Sequence, residues 1–246
     1  MITVTGVTGK LGGIVLDDLR SRVPADQIVA VARTPEKVGA GVEVRRGDYD
    51  DPASLRTAFA GADVLLLVSS PDVTPGVRPR QHGNAITAAA EAGVGRIVYT
   101  SAVHAQDGPG FLRDHGVTED LLRASGVPFT ILRNTFYEEA LVNPGLRDAV
   151  AAGELLGADK GVPVNFATLR DLGLAASAVL TSDGQVGAVY ELSGPLWTVA
   201  AAELGPAAFV HGLIAEGVFR DPPDDLEKLL GREPTSLREA VTAALR

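Results

Sequence analysis

Three glycines near the start of the chain are the residues whose spacing most clearly points to chemistry. They stand at Gly6, Gly9 and Gly12, in the run Thr5-Gly6-Val7-Thr8-Gly9-Lys10-Leu11-Gly12, directly after Ile2-Thr3-Val4. The spacing predicts a strand, a tight turn and a helix opening on that turn. One glycine lets the chain turn with positive φ at low cost. Another keeps a side chain away from a bound pyrophosphate, and the last lets the helix pack closely on the strand. A dinucleotide pyrophosphate would then rest on free N–H groups at the positive end of the helix. Thr8 and Lys10 add a hydroxyl and an ammonium to the same loop. An ordinary glycine-rich turn could use the same residues. Here, however, an amphipathic pattern follows (Ile14, Val15, Leu16, Leu19), and after it a second apolar run, Ile28–Ala32.

The end of that second run discriminates between nicotinamide cofactors. A site for NAD usually has Asp or Glu there, gripping the ribose 2′-hydroxyl. This chain has Arg33, followed by Thr34, Pro35, Glu36 and Lys37. A carboxylate would repel a 2′-phosphate, whereas a guanidinium binds it with two parallel hydrogen bonds. The expected cofactor is therefore NADPH (NADP). The competing reading is a solvated surface arginine, with Glu36 nearby.

The elements that must hold these residues follow a regular alternation. Strand patterns at Val42–Arg45, Val64–Val68, Arg96–Ser101 and Phe129–Arg133 alternate with helix patterns from Pro52 through Phe59, from about Gln81 to Ala92, and from Val117 to Ser125. The rhythm predicts an α/β, Rossmann-type, doubly wound parallel sheet with helices on both faces. Right-handed crossovers bring all strand C-terminal ends to one edge, where ligands bind. Gly6, Arg33, Asp48, Ser69, Thr100 and Asn134 should meet there. Residues 1–133 are expected to form the nucleotide-binding core, and 134–246 a small substrate lobe plus late elements returning to the core. In that second part Val162–Phe166 and Ala188–Leu192 suggest strands. Arg170–Leu180, Asp224–Leu230 and Ser236–Leu245 suggest helices, the last opening on a capping box of Ser236 and Glu239.

Composition removes several function classes. The chain has 246 residues, enough to bury a substantial core, and 46% of them are apolar. There is no cysteine, so disulfides, thiolate metal sites and thiol catalysis are excluded. The net charge of −9 argues against non-specific nucleic-acid binding. No apolar run approaches a membrane span and no signal-peptide pattern precedes the first strand, so a cytoplasmic location is expected. The acidic pairs Asp17-Asp18, Asp50-Asp51 and Asp224-Asp225 lack metal-site spacing, and no Gly-x-Ser-x-Gly elbow is present.

Taken together, these motifs resemble the NmrA-like group of atypical short-chain dehydrogenases/reductases, and most of all the bacterial type 2 NAD(P)H:quinone oxidoreductases. The resemblance rests on T-G-V-T-G-K-L-G, V-A-R-T-P-E-K, G-D-Y-D-D, L-L-L-V-S-S, Q-H-G-N-A-I, Y-T-S-A-V-H-A, D-H-G-V-T-E-D-L-L, G-V-P-F-T-I-L-R-N-T-F-Y-E-E, Y-E-L-S-G-P-L-W-T and L-L-G-R-E-P-T-S-L-R, in order along nearly the whole chain. It implies NADPH-dependent two-electron reduction of a quinone-like small molecule. By motif position Gly6, Thr8, Gly9, Lys10, Leu11 and Gly12 would hold the pyrophosphate, and Arg33 with Lys37 the 2′-phosphate. Asp48 and Tyr49 would flank the adenine, and Ser69 and Ser70 the path to the nicotinamide. Asn134, Phe136 and Tyr137 would form the acceptor pocket. Two departures bear on substrate identity. A few tens of residues are missing after Trp197-Thr198, leaving the pocket either more open or completed by a partner chain, hence a homo-oligomer. Glu139-Ala140 also replaces the family's Glu-Asn.

The proton donor is the open question. Standard members of the wider family use Tyr-x-x-x-Lys. Here the tyrosines at 49, 99, 137 and 190 are followed four residues on by Ala53, Val103, Leu141 and Gly194. His115 is a candidate proton source, with a capping or solvated histidine as the alternative. His104 could face the nicotinamide edge or decorate a loop; His82 and His211 are taken as packing or surface residues. Tyr137 could donate to an acceptor oxygen or sit half-buried in the lobe. The leading expectation is a quinone-type reductase with Asn134 and Tyr137 orienting the acceptor. The alternative is an NADP(H)-binding redox sensor without catalysis. A sugar-nucleotide or isomerase-type activity is third, since the small lobe leaves little room for a large substrate.

Overall fold

The computed structural model describes residues 1–140, 164–197, 216–219 and 225–244. The chain divides into two compact units, one of residues 1–133 and 173–190, the other of 134–172 and 191–246.

The first unit is built on a seven-stranded sheet. Its strands are β1 (Ile2–Val4), β2 (Ile28–Ala32), β3 (Glu43–Arg46), β4 (Val64–Leu67), β5 (Arg96–Ala102), β6 (Phe129–Asn134) and β9 (Val189–Leu192), in the order β3-β2-β1-β4-β5-β6-β9. β1 pairs in parallel with both β2 and β4, with Thr3 opposite Val29 and Leu65. The order reverses at β1, and a crevice for a ligand opens at such a reversal, beyond the strand C-terminal ends. β1, β2 and β5 are buried along their whole length, as a parallel sheet covered on both faces requires.

The helices of this unit are α1 (Lys10–Arg22), α2 (Pro52–Phe59), α3 (Val77–Glu91), α4 (Phe111–Ser125) and, from Gly173 onward, α5 (Leu169–Leu180). One face of the sheet is a dry core of Val29, Val31, Leu55, Phe59, Leu65, Leu67, Ile86, Ile97, Tyr99 and Leu122. On α5, Gly173 lies against Ile14 of α1, and Ser177 reaches the Val15 carbonyl.

Two helices begin earlier than their patterns predict. α3 starts at Val77 rather than near Gln81, because Pro79 lies in the first turn, where its missing N–H costs nothing. α4 starts at Phe111 rather than Val117, after a left-handed Gly110. Each extension brings in one buried polar side chain, Arg78 on α3 and His115 on α4.

The second unit contains a three-stranded sheet, β10-β8-β7, from β7 (Phe136–Tyr137), β8 (Val164–Ala167) and β10 (Leu196–Trp197). β7 runs parallel to β8 and β10 antiparallel to it. Short helices α6 (Asp225–Leu230) and α7 (Leu237–Ala244) follow. The expected capping box is present: Glu239 accepts from Ser236 N and Oγ, and Glu239 N donates to Ser236 Oγ. The segment in which family residues are missing, after Trp197, lies outside the described residues.

The ends of β5, α4 and β6 are tied together by one carboxylate. Glu119 is fully buried and accepts from Ser101 Oγ (2.7 Å), Gln106 Nε2 (3.0 Å) and both Nε and a terminal nitrogen of Arg133 (2.9 and 2.7 Å). Burial alone would raise its pKa, but the bonds from Arg133, Ser101 and Gln106 bring it down to about 2. Its stabilisation is therefore complete above the ordinary carboxylate range and lost as pH falls toward 2. Glu119→Gln should cost about 2–3 kcal/mol at pH 7, because it removes the buried charged acceptor of the Arg123 and Arg133 bonds. Denaturant unfolding at pH 7 and pH 3 checks this; the gap between variant and wild type should narrow at the lower pH.

Candidate functional site

The turn after β1 is built to admit a phosphate. Gly6 has φ of +65°, and a Cβ on Gly12 would stand 2.3 Å from the Gly6 carbonyl oxygen. Helix α1 thus starts in direct contact with the turn. Its N-cap is Gly9, with no side-chain cap and no acidic residue in the first turn. The first amides of α1 have no partner inside the helix. Gly6, Thr8, Gly9 and Lys10 are exposed around them. This donor set fits a pyrophosphate. Leu11 points inward and is buried, so only its backbone N–H can serve a ligand.

Arg33 and Lys37 are exposed after β2, and their side chains make no hydrogen bond or ion pair with any described residue. Asp48 and Tyr49 follow β3. Asp48 Oδ1 accepts from Asp50 N, and Asp48 N donates to Ser54 Oγ, which locks the turn. The Tyr49 hydroxyl lies 2.6 Å from Thr5 Oγ1 and donates to the Val68 carbonyl at 2.7 Å. Tyr49 therefore clamps the ends of β1 and β4 while its ring stays half-buried. Asn84 donates to the Tyr49 carbonyl and Gln81 to the Asp50 carboxylate. Arg80 and Gln81, with Arg33 contributing its charge, hold the Asp50 carboxyl below its ordinary range.

The loops after β4 and β5 are fixed from below. Ser69 N donates to Thr100 Oγ1 and Ser70 N to His82 Nε2, each at 2.9 Å. His82 must accept at Nε2, so its proton sits on Nδ1, facing Thr118 Oγ1 at 2.9 Å. Arg78, also buried, donates through Nε to the Ser70 carbonyl and through a terminal nitrogen to the Phe111 carbonyl. The same nitrogen lies 3.3 Å from His115 Nε2, and Tyr99 Oη lies 2.8 Å from His115 Nδ1. A guanidinium can only donate, so His115 Nε2 must be unprotonated. Burial, then the neighbouring Arg78 charge, pushes His115 down to about 3. Burial does the same to His82, with smaller contributions from His115 and Arg78.

This corrects one sequence-based expectation. His115 is held neutral with both ring nitrogens engaged, so it is no proton source near neutral pH. Of the two readings of His82, packing or surface, packing holds: it is buried and supports the Ser70 loop. Arg78 carries no sequence signal beyond Pro79, whose tolerance in a first helical turn extends α3 back to Val77. His104 lies in the turn after β5, half-exposed, with φ of 56° and its ring 3.5 Å from Asp107.

In the second unit Asn134 and Glu138 are buried, with Phe136 and Tyr137 half-buried between them. Phe136 packs on Phe166 and Phe219, ring centres 6.0 and 5.7 Å apart. Asn134 Oδ1 and Glu138 Oε2 are buried without a hydrogen-bond partner among the described residues. Among the described residues no group of three or more His, Asp or Glu could hold a metal ion, and no helix is long and apolar enough to cross a membrane.

A nucleotide-binding turn on a reversed parallel sheet also matches known proteins. The profile of the NAD(P)H-binding family covers residues 6–158. The chain belongs to the NAD(P)H-binding family. Its relatives in this family include quinone oxidoreductase 2 of Escherichia coli, 43% identical over 212 residues, covering 83% of this chain and 73% of that protein. A (4-alkanoyl-5-oxo-2,5-dihydrofuran-3-yl)methyl phosphate reductase of Streptomyces griseus is 37% identical, covering 79% and 68% of the two chains. The crystal structure of Citrobacter sp. triphenylmethane reductase with NADP(H) superposes with a TM-score of 0.94 at 35% identity, covering 99% of each chain. That of the E. coli quinone oxidoreductase with NADPH gives 0.90 at 36%, covering both chains completely. With an NAD(P)H-binding domain and these reductases among its relatives, the protein is an oxidoreductase with a nicotinamide cofactor.

Two outcomes follow from the geometry. Gly12→Ala should abolish dinucleotide binding, measured by titration calorimetry, because its methyl must displace either the turn or α1. His82 and His115 are neutral when folded and protonate more readily when unfolded. Their shared contribution to stability is therefore lost as pH falls from about 6.5 toward 3. Urea unfolding at pH 7 and pH 5 should show the loss, and His115→Gln should flatten part of the slope.

Proposed function

We propose that the protein is an NADPH-dependent reductase that delivers hydride to a quinone or another small conjugated acceptor. The observation that carries the cofactor choice is Arg33. It is an exposed guanidinium without a hydrogen-bond or ion-pair partner among the described residues, at the end of β2, where an NAD site would carry a carboxylate. Arg33 and Lys37 receive the 2′-phosphate in this reading. Gly6, Thr8, Gly9, Lys10, Leu11 and Gly12 hold the pyrophosphate, mostly through backbone N–H groups. Asp48 and Tyr49 border the adenine, and Ser69, Ser70 and Thr100 shape the path toward the nicotinamide, with His104 at its edge. NADPH, when bound, supplies the hydride. Arg78, His82 and His115 position the Ser69-Ser70 loop.

Asn134, Phe136 and Tyr137 hold the acceptor. Flat conjugated molecules suit a segment whose central residue belongs to a cluster of three phenylalanine rings. Quinones and triarylmethyl cations both accept hydride readily, since the resulting charge is delocalised or neutralised. A strong proton donor of the Tyr-x-x-x-Lys type then contributes less than placement of the acceptor does. The reductases among the relatives above support this class of acceptor.

Loss of NADPH absorbance with a panel of quinones tests the reading. Turnover with NADPH well above that with NADH is expected. Arg33→Ala should raise the KM for NADPH about 10- to 100-fold, the loss of one bidentate charge-assisted contact, while leaving NADH nearly unchanged. Tight NADP(H) binding without turnover across the panel would replace the reductase reading with that of a redox sensor.

A further inference from the structure

We propose that Glu138 is the proton donor of the reduction, giving the acceptor oxygen the proton that hydride transfer alone leaves missing. The inference rests on the reductase reading above and adds a catalytic residue to it.

Asn134 ends β6, Phe136 lies in β7, and Glu138 follows directly. Glu138 opens a 3-10 turn directly after β7, and Thr135, between Asn134 and Phe136, is bonded to Asn165. Within this five-residue stretch Asn134 Oδ1 and Glu138 Oε2 are both buried, and neither has a hydrogen-bond partner among the described residues. Buried polar atoms are rarely left unpaired in a folded protein. Two of them within one short segment have the form of a site that a polar molecule completes.

Glu138 differs from its acidic neighbours. Glu139 is spent on the Leu169 amide at the start of α5, through both oxygens. Asp171, in the same helical turn, is paired with Arg232 and accepts from Thr235 N at 2.6 Å. Glu239 of α7 binds Ser236 and lies in the field of Arg232 and Asp171. Among the described residues Glu138 alone of these carboxyls has no cation and no donor. Burial first, then Glu139 and Asp171, pushes its pKa up to about 7. It thus holds a proton near neutral pH without being a strong acid, as a general acid should. His115, the other titratable candidate, is neutral and engaged.

The step balances. The O–H bond at Glu138 Oε2 breaks and an O–H bond forms on the acceptor carbonyl oxygen. With one hydride added, a quinone becomes a neutral hydroquinone. The Glu138 carboxylate then regains a proton from solvent. A triarylmethyl cation needs no such proton, because hydride alone makes it neutral.

That difference supplies the test. Glu138→Gln is compared with wild type using NADPH and either a benzoquinone or a triarylmethane dye, from pH 5.5 to 9, with NADPH affinity measured on both proteins. For wild type, kcat/KM for the quinone should fall as pH rises through about 7, where the acid form is lost. The variant should be about 10- to 100-fold slower with the quinone at pH 6 and lack that step, while dye reduction and NADPH affinity stay unchanged. If the dye is not turned over, the pH step of quinone reduction decides by itself. A variant that keeps the wild-type quinone rate and pH step, or that slows quinone and dye equally, overturns the proposal. Wild-type protein that binds NADPH and reduces neither acceptor overturns the reductase reading instead.

Discussion

The contact between the start of α1 and the turn after β1 is the constraint on which the nucleotide site depends. A carbonyl oxygen 2.3 Å from where a Cβ would be leaves no residue but glycine at position 12. The contact seats the helix directly on the turn and aims its unpaired amides across the sheet edge. The absence of a cap or an acid in that first turn follows the same logic, since either would occupy the place of a phosphate. The tie of Tyr49 to Thr5 and Val68 then keeps the neighbouring strand ends at fixed separation.

A second layer of order comes from buried polar groups that are satisfied without charge neutralisation. Arg78 is a buried cation, and no carboxylate among the described residues pairs with it. Two backbone carbonyls and the lone pair of a neutral imidazole take its hydrogen bonds. Such an arrangement is costly unless every donor finds an acceptor, and it therefore permits one geometry. The loop carrying Ser69 and Ser70 inherits that geometry through His82. Glu119 works in the opposite way, gathering four side-chain partners, among them Arg123 from its own helix, onto one carboxylate. Both clusters stiffen strand ends on which a ligand would rest, and Tyr99 joins the first of them to the apolar core.

In the second unit the polar groups are not all satisfied. Asn134 and Glu138 leave atoms unpaired in the middle of buried structure, whereas Thr135, one residue away, is doubly bonded to Asn165. Folding alone would be better served by apolar residues at these positions. The contrast within five consecutive residues separates what holds the sheet together from what is kept for a ligand.

Much of this was legible in the chain itself. Gly6 and Gly12 after a short strand determine the turn, because one takes a positive φ and the other has no room for a Cβ. The alternation of apolar runs determines the parallel sheet, because strands buried on both faces must be apolar throughout. Arg33 in place of a carboxylate is a choice of charge, readable without coordinates. The tertiary structure decided which polar side chains meet. Arg78, His82, Tyr99 and His115 are scattered over nearly forty positions on two helices and a strand, and nothing in their spacing reveals that they converge. Protonation followed from that convergence: a histidine that looks like an acid in sequence is neutral beside a buried guanidinium. A glutamate that looks like surface charge holds its proton because burial and two neighbouring carboxylates oppose its ionisation. Charge state depends on what surrounds a group in space, and the chain acquires those surroundings only when it folds.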